Sequence, residues 1–263
     1  MTLVVLGTVI FAIAVVMTMT GRGGGNFYVL VLVAAGQAMH QAATSAQFIL
    51  MLTALAGMLI FQKNKTVDWK LALVIDPPTD IMAFVGGYFS SYASNISLKL
   101  LLAGLLALAG LLMLVRVKER PIHAAKKLGY WHRNFQGQTY VVNLWYTIPI
   151  TALAGLAAGA VGISCGSFKV PLMVLLCGVP MRIAVGTSAA MVAATATMGF
   201  IGHATQGHFE PQAAVPFAVI AVLGGLIGGK FALKTRPEKL KQLFAYTTLV
   251  ASVFMTVNAL YSR

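Results

Sequence analysis

Two glycine-rich stretches, each accompanied by a positively charged residue, are the features of this sequence best suited to bind an anion. The first reads GRGGG over residues 21–25 and contains Arg22, and the second reads GISCG over residues 162–166 and precedes Lys169. A glycine-rich turn before a helix leaves backbone N–H groups unpaired at the positive end of the helix dipole. The pattern predicts a site for a sulfonate, a sulfite or a carboxylate, although glycines also bring membrane helices close together.

The predicted anion site combines these turns with polar side chains that follow them. Serine, threonine and glutamine can donate hydrogen bonds to an anion, although hydroxyls in membrane helices commonly bond to their own backbone. Lys169 lies in an apolar run, where a charge needs a partner or a cavity unless its side chain reaches the membrane surface. The candidate substrate-binding residues are Arg22, Gly23, Gly24, Gly25, Gln41, Thr44, Ser45, Ser164, Cys165, Gly166, Lys169, Thr187 and Ser188.

Two acidic residues lie inside one apolar segment. Asp76 and Asp80 occur in the sequence VIDPPTDIM, and helical rise places Asp80 near the middle of the membrane. We expect the proline pair 77–78 to break the helix and to free backbone carbonyls. The carboxylates suit proton coupling, or alternatively a structural ion pair with Lys169 or Arg22.

A single histidine completes the set of proton-coupling candidates. His203 ends an apolar segment, where it could shuttle a proton or pack between helices. The sequence contains no Ser-His-Asp set, no cluster of metal ligands and no nucleotide-binding fingerprint. It therefore predicts a protein that is not an enzyme and that uses neither a cofactor nor a metal. The proton-coupling candidates are Asp76, Asp80 and His203.

The composition places the chain in a membrane. Of its 263 residues, 59% are hydrophobic and only 10% are charged, whereas soluble domains carry about a quarter charged residues. The net charge of +13 comes from Lys and Arg in short loops between apolar runs, and this placement orients membrane proteins. We therefore expect a multi-pass protein that contacts lipid and has no nucleic-acid partner.

Internal similarity divides the sequence into two halves. Gly25 matches Gly166, and the Thr-Ser pair at 44–45 matches the pair at 187–188. Each half has five apolar segments, and an odd unit repeated in tandem inserts with opposite orientation. We predict an all-α integral membrane protein of two inverted repeats, with short or broken helices after the glycine-rich motifs. The predicted segments lie near 1–19, 27–39, 45–61, 71–90, 97–115, 141–161, 167–181, 183–203, 213–233 and 243–260, within domains 1–117 and 141–263 joined by a linker at 118–140.

The distribution of basic loops supports these orientations. Cytoplasmic loops collect Lys and Arg, and the linker 118–140 is rich in both. The loop 63–70 carries three lysines, whereas its counterpart 206–210 carries no basic residue. The charges predict a cytoplasmic linker and two non-cytoplasmic termini.

The second half also carries a family signature. Residues 155–210 contain a glycine-rich turn followed by VPL, GVP, GTS and GFIGH. This order resembles the TauE/SafE family of sulfite and organosulfonate exporters, together with 4-toluene sulfonate uptake-type permeases. The resemblance implies a carrier of the bacterial or archaeal inner membrane. The chain departs from the family pattern where Ser164 and Cys165 replace glycines and where Lys169 replaces a neutral residue.

Three classes of function follow from these features. The first is a secondary transporter that exports sulfite or a small organosulfonate, such as sulfoacetate, by alternating access, with or without proton coupling. The second is an anion-selective channel with Arg22 and Lys169 as charge rings. The third is a membrane subunit of sulfur metabolism that docks a partner through the linker 118–140. A homodimer is compatible with each class.

Overall fold

The structure is a computed structural model that describes residues 3–37, 39–89, 95–114, 128–161, 166–204 and 209–261. These residues are mainly α-helical. The helices are α1 (Leu3–Met19), α2 (Gly25–Ala34), α3 (Met39–Lys63), α4 (Trp69–Phe89), α5 (Asn95–Leu114), α6 (Leu144–Val161), α7 (Gly166–Pro171), α8 (Met181–Ala204), α9 (Pro211–Lys234) and α10 (Pro237–Tyr261), with a π-helix at Leu172–Leu176 and strands β1 (Tyr130–Phe135) and β2 (Gln138–Asn143).

Each apolar segment expected from the sequence overlaps one of these helices. Among the described residues, three helical stretches are long and apolar enough to cross a bilayer: Thr44–Lys63, Met181–Met198 and Ala214–Lys234. Shorter apolar helices accompany them, including Val4–Met19 and Leu144–Leu156. The structure therefore has the helices of a membrane protein, and the inverted relation between its halves stays a prediction.

Two helical segments are too short to span the hydrocarbon core. Helix α2 has 10 residues, which at helical rise is about 15 Å. Helix α7 and the π-helix contribute 6 and 5 residues, whereas a bilayer core is about 30 Å thick. The two segments begin at Gly25 and Gly166, and they are followed by Gly36 and Gly178, which have positive φ. The expected short helices after the glycine-rich motifs are thus present.

Helix α1 ends in a Schellman motif that creates the first glycine-rich turn. The amide of Arg22 donates a hydrogen bond to the carbonyl of Met17 at 3.0 Å. Gly21 has φ +74°, the left-handed conformation that this motif requires and that glycine adopts without a steric penalty. Gly23 also has a positive φ, +70°, so the chain turns sharply between α1 and α2.

The helices form two compact units. Unit 1 contains Met1–Val67 and Val185–Thr235, and unit 2 contains Asp68–Ala184 and Arg236–Arg263. Each unit therefore takes helices from both halves of the sequence. The division into repeats at 117 and 141 stays a prediction.

Unit 1 is packed through glycines on α9. A Cβ atom added to Gly225 would lie 2.7 Å from the carbonyl oxygen of Thr53 on α3. A Cβ atom added to Gly228 would lie 2.4 Å from the carbonyl oxygen of Val15 on α1. Because membrane helices associate through close packing of small residues, these glycines hold α9 against α1 and α3.

Unit 2 uses the same kind of contact between α4 and α6. A Cβ atom added to Gly155 would lie 2.2 Å from the carbonyl oxygen of Thr79. In the same unit, the hydroxyl of Ser252 on α10 donates to the carbonyl of Ala103 on α5 at 2.8 Å. The backbones of α4 and α6 therefore approach each other closely beside the two aspartates.

The expected helix break at the proline pair is wrong. Helix α4 runs without interruption through Pro77 and Pro78. The two prolines remove only the N–H groups that would bond to the carbonyls of Leu73 and Val74. The remaining hydrogen bonds and the close packing on α6 are sufficient to keep the segment helical.

The all-α prediction is also wrong over residues 130–143, because β1 and β2 pair as an antiparallel hairpin. The turn residues Gln136 and Gly137 have φ +53° and +71°, as a two-residue turn of type I′ requires. Tyr140 and Val142 of β2 alternate as buried side chains, a period of two that favours a strand. The earlier part of the linker, residues 118–127, lies outside the described residues.

We expect Gly155→Ala to destabilise unit 2, because the new methyl group would push α6 away from the backbone of α4. Overpacking of this kind costs about 2 kcal/mol, or roughly 5 °C of thermal midpoint. Gly104→Ala is the matched control, since no atom lies within 4 Å of its added Cβ. Thermal unfolding in detergent checks both variants, and equal midpoints for the two would contradict the close contact.

Candidate functional site

The structure divides the candidate residues between the two units. Gly166, Lys169, Asp76 and Asp80 belong to unit 2, whereas the remaining described candidates belong to unit 1. Ser164 and Cys165 lie outside the described residues. His203 lies on α8, and its side chain is outside the described part. The unit 1 group comprises Arg22, Gly23, Gly24, Gly25, Gln41, Thr44, Ser45, Thr187, Ser188 and His203.

In unit 1, Arg22 lies in the turn between α1 and α2 and is only 5% exposed. The hydroxyl of Ser188 on α8 donates to the carbonyl oxygen of Gly21 at 2.9 Å. A Cβ atom on Gly23 would lie 2.5 Å from Leu50 on α3. Contacts from α3 and α8 therefore fix the turn that carries the buried guanidinium group.

The duplicated Thr-Ser pairs are buried in the same unit. Thr44 and Ser45 on α3, and Thr187 and Ser188 on α8, are all at most 1% exposed. Within the described part of the chain, the hydroxyl of Ser45 has no hydrogen-bond partner. A buried hydroxyl without a partner is costly, so Ser45 is a suitable donor for a bound anion.

Gln41 has a different environment. Its side-chain amide nitrogen donates a hydrogen bond to a carboxylate oxygen of Glu210 at 2.6 Å. Glu210 is the residue immediately before α9. This hydrogen bond joins α3 to the start of α9 within unit 1. A role for Gln41 in anion binding stays a prediction.

In unit 2, Lys169 is buried against the two aspartates of α4. Its ammonium group pairs with Asp76 and lies 3.8 Å from a carboxylate oxygen of Asp80. The lysine side chain is 2% exposed, whereas those of Asp76 and Asp80 are 12% and 37% exposed. The structural ion pair that the sequence allowed is thus present, and its cation is Lys169.

A small cavity adjoins this group. Its volume is about 10 Å³, which accommodates about one water molecule. The cavity contacts Lys169, Thr79 and Thr151, together with three apolar side chains. It is too small for an organosulfonate in this conformation.

Comparison with known proteins decides the family. A model described as Sulfite exporter TauE/SafE matches residues 6–255. The chain belongs to the TauE/SafE family. This family consists of membrane transporters, so the membrane-transport class expected from the sequence is confirmed.

Relatives in the family support the same class. Probable membrane transporter protein YunE of Bacillus subtilis (strain 168) is 26% identical over 99% of this chain and 98% of its own length. Probable membrane transporter protein YdhB of the same organism is 24% identical over 94% of this chain and 97% of its own length. A probable membrane transporter protein of Xylella fastidiosa (strain 9a5c) is 32% identical over 44% of each chain. No solved structure gives a significant match.

A second charged cluster, which was not predicted from the sequence, lies where the hairpin meets α4. Asp68 is fully buried and accepts hydrogen bonds from Arg133 at 2.8 and 2.9 Å. The hydroxyl of Tyr140 also donates to Asp68. The carboxylate caps the first turn of α4, because the amide of Lys70 donates to it at 3.1 Å. This cluster fastens the hairpin of the TauE/SafE chain to the start of the helix that carries Asp76.

The capping role of Asp68 could have been predicted from the local sequence, but its ion pair could not. An aspartate immediately before an apolar helical run is a typical N-cap, and Asp68 stands directly before α4. Its long-range partners depend on the hairpin, which places Arg133 and Tyr140 opposite each other in register. Helix capping was therefore predictable, whereas the ion pair required the strand pairing.

The cluster sets the ionisation of Asp68. Burial opposes the charged form, but the hydrogen bonds from Arg133 and Tyr140 outweigh it and hold the pKa of Asp68 below its usual range. The same hydrogen bond raises the pKa of Arg133, so both groups stay charged at neutral pH.

We expect Asp68→Asn to lower the free energy of unfolding at pH 7 by about 2 kcal/mol, because it leaves Arg133 without its buried partner. A depressed pKa stabilises the fold above the unfolded value and loses that effect as pH falls through the folded value. The gap between wild type and variant should therefore close below about pH 4. Thermal unfolding against pH, with exposed Glu238→Gln as control, measures this. A gap that widens in acid would contradict the assignment.

Proposed function

We propose that this TauE/SafE protein is a secondary transporter that exports sulfite or a small organosulfonate, such as sulfoacetate, across the inner membrane by alternating access. The observation that carries the proposal is the buried Arg22 in the turn before α2, with four buried hydroxyl-bearing residues on α3 and α8 of the same unit. The family model supports the substrate class, since it is described as a sulfite exporter.

The chemistry of unit 1 suits a small oxyanion. A guanidinium group and hydroxyl donors match the oxygens of a sulfonate or sulfite, and arginine can donate two parallel hydrogen bonds to such a group. Helix α2 adds the positive end of its dipole next to Arg22. We assign anion binding to Arg22, the glycines of the turn, Ser45 and Ser188, with Thr44, Thr187 and Gln41 as further candidates.

The charged residues of unit 2 are suited to couple anion export to proton movement. A charge pair inside a membrane protein is expensive and commonly marks an ion or proton pathway. The membrane potential contributes about 2.3 kcal/mol per charge per 100 mV, which by itself favours the exit of an anion from a negative interior. We propose that a proton bound at the aspartates of α4 adds to this driving force, with His203 as a further candidate.

The partners and the membrane orientation of the transporter are proposed from the sequence. We propose a small sulfur-containing anion and membrane lipid as partners, a cytoplasmic linker at 118–140 and non-cytoplasmic termini. A homodimer is compatible with this arrangement.

We expect one sulfur-containing anion to raise the thermal midpoint of the purified protein, and we expect Arg22→Gln to abolish this shift. The compounds to compare are sulfite, sulfoacetate, taurine, thiosulfate and sulfate. Arg22→Gln removes the buried positive charge, whereas Lys230→Gln removes an exposed charge from the same unit and should preserve the shift. Counterflow in liposomes with the stabilising anion then measures transport.

Two results would contradict this proposal. Stabilisation by none of the five anions would exclude this substrate class. A current that does not saturate with anion concentration would favour a channel over a carrier.

A further inference from the structure

Three phenylalanine rings from separate segments of unit 1 pack against one another. The ring centroid of Phe48 on α3 lies 5.1 Å from that of Phe200 on α8 and 5.1 Å from that of Phe209, which stands just before α9. The rings of Phe200 and Phe209 are 4.9 Å apart and meet edge to face. These are the distances and ring angles of favourable aromatic pairs. The aromatic cluster of Phe48, Phe200 and Phe209 therefore joins α3, α8 and the start of α9.

A polar contact joins two of the same segments. Gln41 lies two helical turns before Phe48 on α3, and its side-chain amide donates to the carboxylate of Glu210 at 2.6 Å. Glu210 follows Phe209 directly in the chain. Glu210 is exposed, whereas the three rings are half-buried. The hydrogen bond therefore lies nearer the surface of the unit than the aromatic cluster does.

Ser45 lies between these two contacts along one face of α3. Residues 41, 45 and 48 have the spacing of four and three that aligns side chains on one side of a helix. Ser45 is fully buried, and its hydroxyl has no hydrogen-bond partner among the described residues. The hydroxyls of Thr53 and Thr197 in the same unit instead donate to the carbonyl four residues earlier. The Ser45 hydroxyl is thus available to a ligand.

The turn that carries Arg22 packs on another face of α3. A Cβ atom added to Gly23 or Gly25 would lie 2.5 or 2.6 Å from the Leu50 side chain. At 3.6 residues per turn, Ser45 is about 60° from Phe48 around the helix axis but about 140° from Leu50. Ser45 therefore faces the aromatic cluster rather than the Arg22 turn, and the two donors belong to successive positions of an anion path.

We propose that the aromatic cluster, together with the Gln41–Glu210 hydrogen bond, is a gate that is closed over Ser45 in this structure and separates to let an anion pass. The inference rests on the proposed function for the identity of the anion. Each contact in the gate is individually weak. The close glycine contacts of α9 with α1 and α3, at Gly225 and Gly228, lie about four turns or more beyond Glu210. The start of α9 can therefore move while those contacts stay intact.

Thiol labelling of the full chain in detergent tests the gate without a transport assay. Ser45→Cys provides the thiol, and the probe is 2-sulfonatoethyl methanethiosulfonate, a small reagent that itself carries a sulfonate. Mass spectrometry of the peptide that contains position 45 separates this reaction from those of Cys165 and Cys177, so both native cysteines stay in place. We expect slow labelling of position 45, because the gate is closed.

Two added substitutions should open the gate. Phe200→Ala removes two of the three ring contacts, so the labelling rate at position 45 should rise by about tenfold. Glu210→Ala removes the partner of Gln41 and leaves the rings in place, so the rate should rise by about threefold. Phe231→Ala is the matched control, since Phe231 is exposed on α9 and should leave the rate unchanged.

The labelling rates can overturn the gate in three ways. The proposal fails if Phe200→Ala leaves the rate unchanged, if Phe231→Ala raises it equally, or if position 45 is not labelled in any variant. Should Phe200→Ala not fold, Glu210→Ala at its exposed position decides in the same way. A rise in Phe200→Ala without one in Glu210→Ala would exclude the hydrogen bond from the gate.

Counterflow of sulfoacetate in liposomes separates this inference from the proposed function. No counterflow by the wild type, together with the expected labelling rates, would count against the proposed substrate and support the gate. Counterflow by the wild type, together with a labelling rate that does not respond to Phe200→Ala, would support the transporter and overturn the gate.

Discussion

The placement of Lys169 in an apolar segment is the constraint on which unit 2 depends. Hydrocarbon cannot solvate an ammonium group, so the protein must bring acidic groups to it. Asp76 and Asp80 meet this requirement from a single helix face, and they can do so only if α4 stays helical through its two prolines. The glycine contact between α6 and Thr79 then holds that helix in place. The pairing of Lys169 with the two aspartates therefore depends on both the uninterrupted helix α4 and its close packing against α6.

In unit 1 the position of the cation, Arg22, depends on the backbone geometry of the turn between α1 and α2. The Schellman end of α1 satisfies the carbonyls of Met17 and Thr18, which would otherwise be left without a partner at the helix end. It also brings Arg22 into the turn, so the guanidinium group is positioned by hydrogen bonds of the main chain and not by a flexible loop. Glycine is needed at residue 21 both for its positive φ and because a Cβ atom would lie 2.6 Å from the carbonyl oxygen of Val185.

Local patterns in the sequence predicted the short helices well, because Gly25, Gly36, Gly166 and Gly178 mark their ends directly. Pairing choices were harder to predict. The sequence allowed Asp76 to pair with either Lys169 or Arg22, and only the three-dimensional packing selects the lysine. The proline pair was misjudged because tertiary contacts with α6 outweigh a local preference. The hairpin was missed because a basic linker conceals the short alternating pattern that ends in Tyr140 and Val142.

The division of the candidates between two units changes how each cation can act. The ammonium group of Lys169 is already paired with Asp76 and lies 3.8 Å from a carboxylate oxygen of Asp80, so a sulfonate would have to compete with two carboxylates for it. Arg22 lies instead in a turn at the positive end of α2, where the helix dipole adds to its potential. The two cations of the glycine-rich motifs, which look equivalent in sequence, thus have opposite electrostatic surroundings. The position of Arg22 is suited to attract an anion, whereas that of Lys169 is suited to hold the two carboxylates of α4.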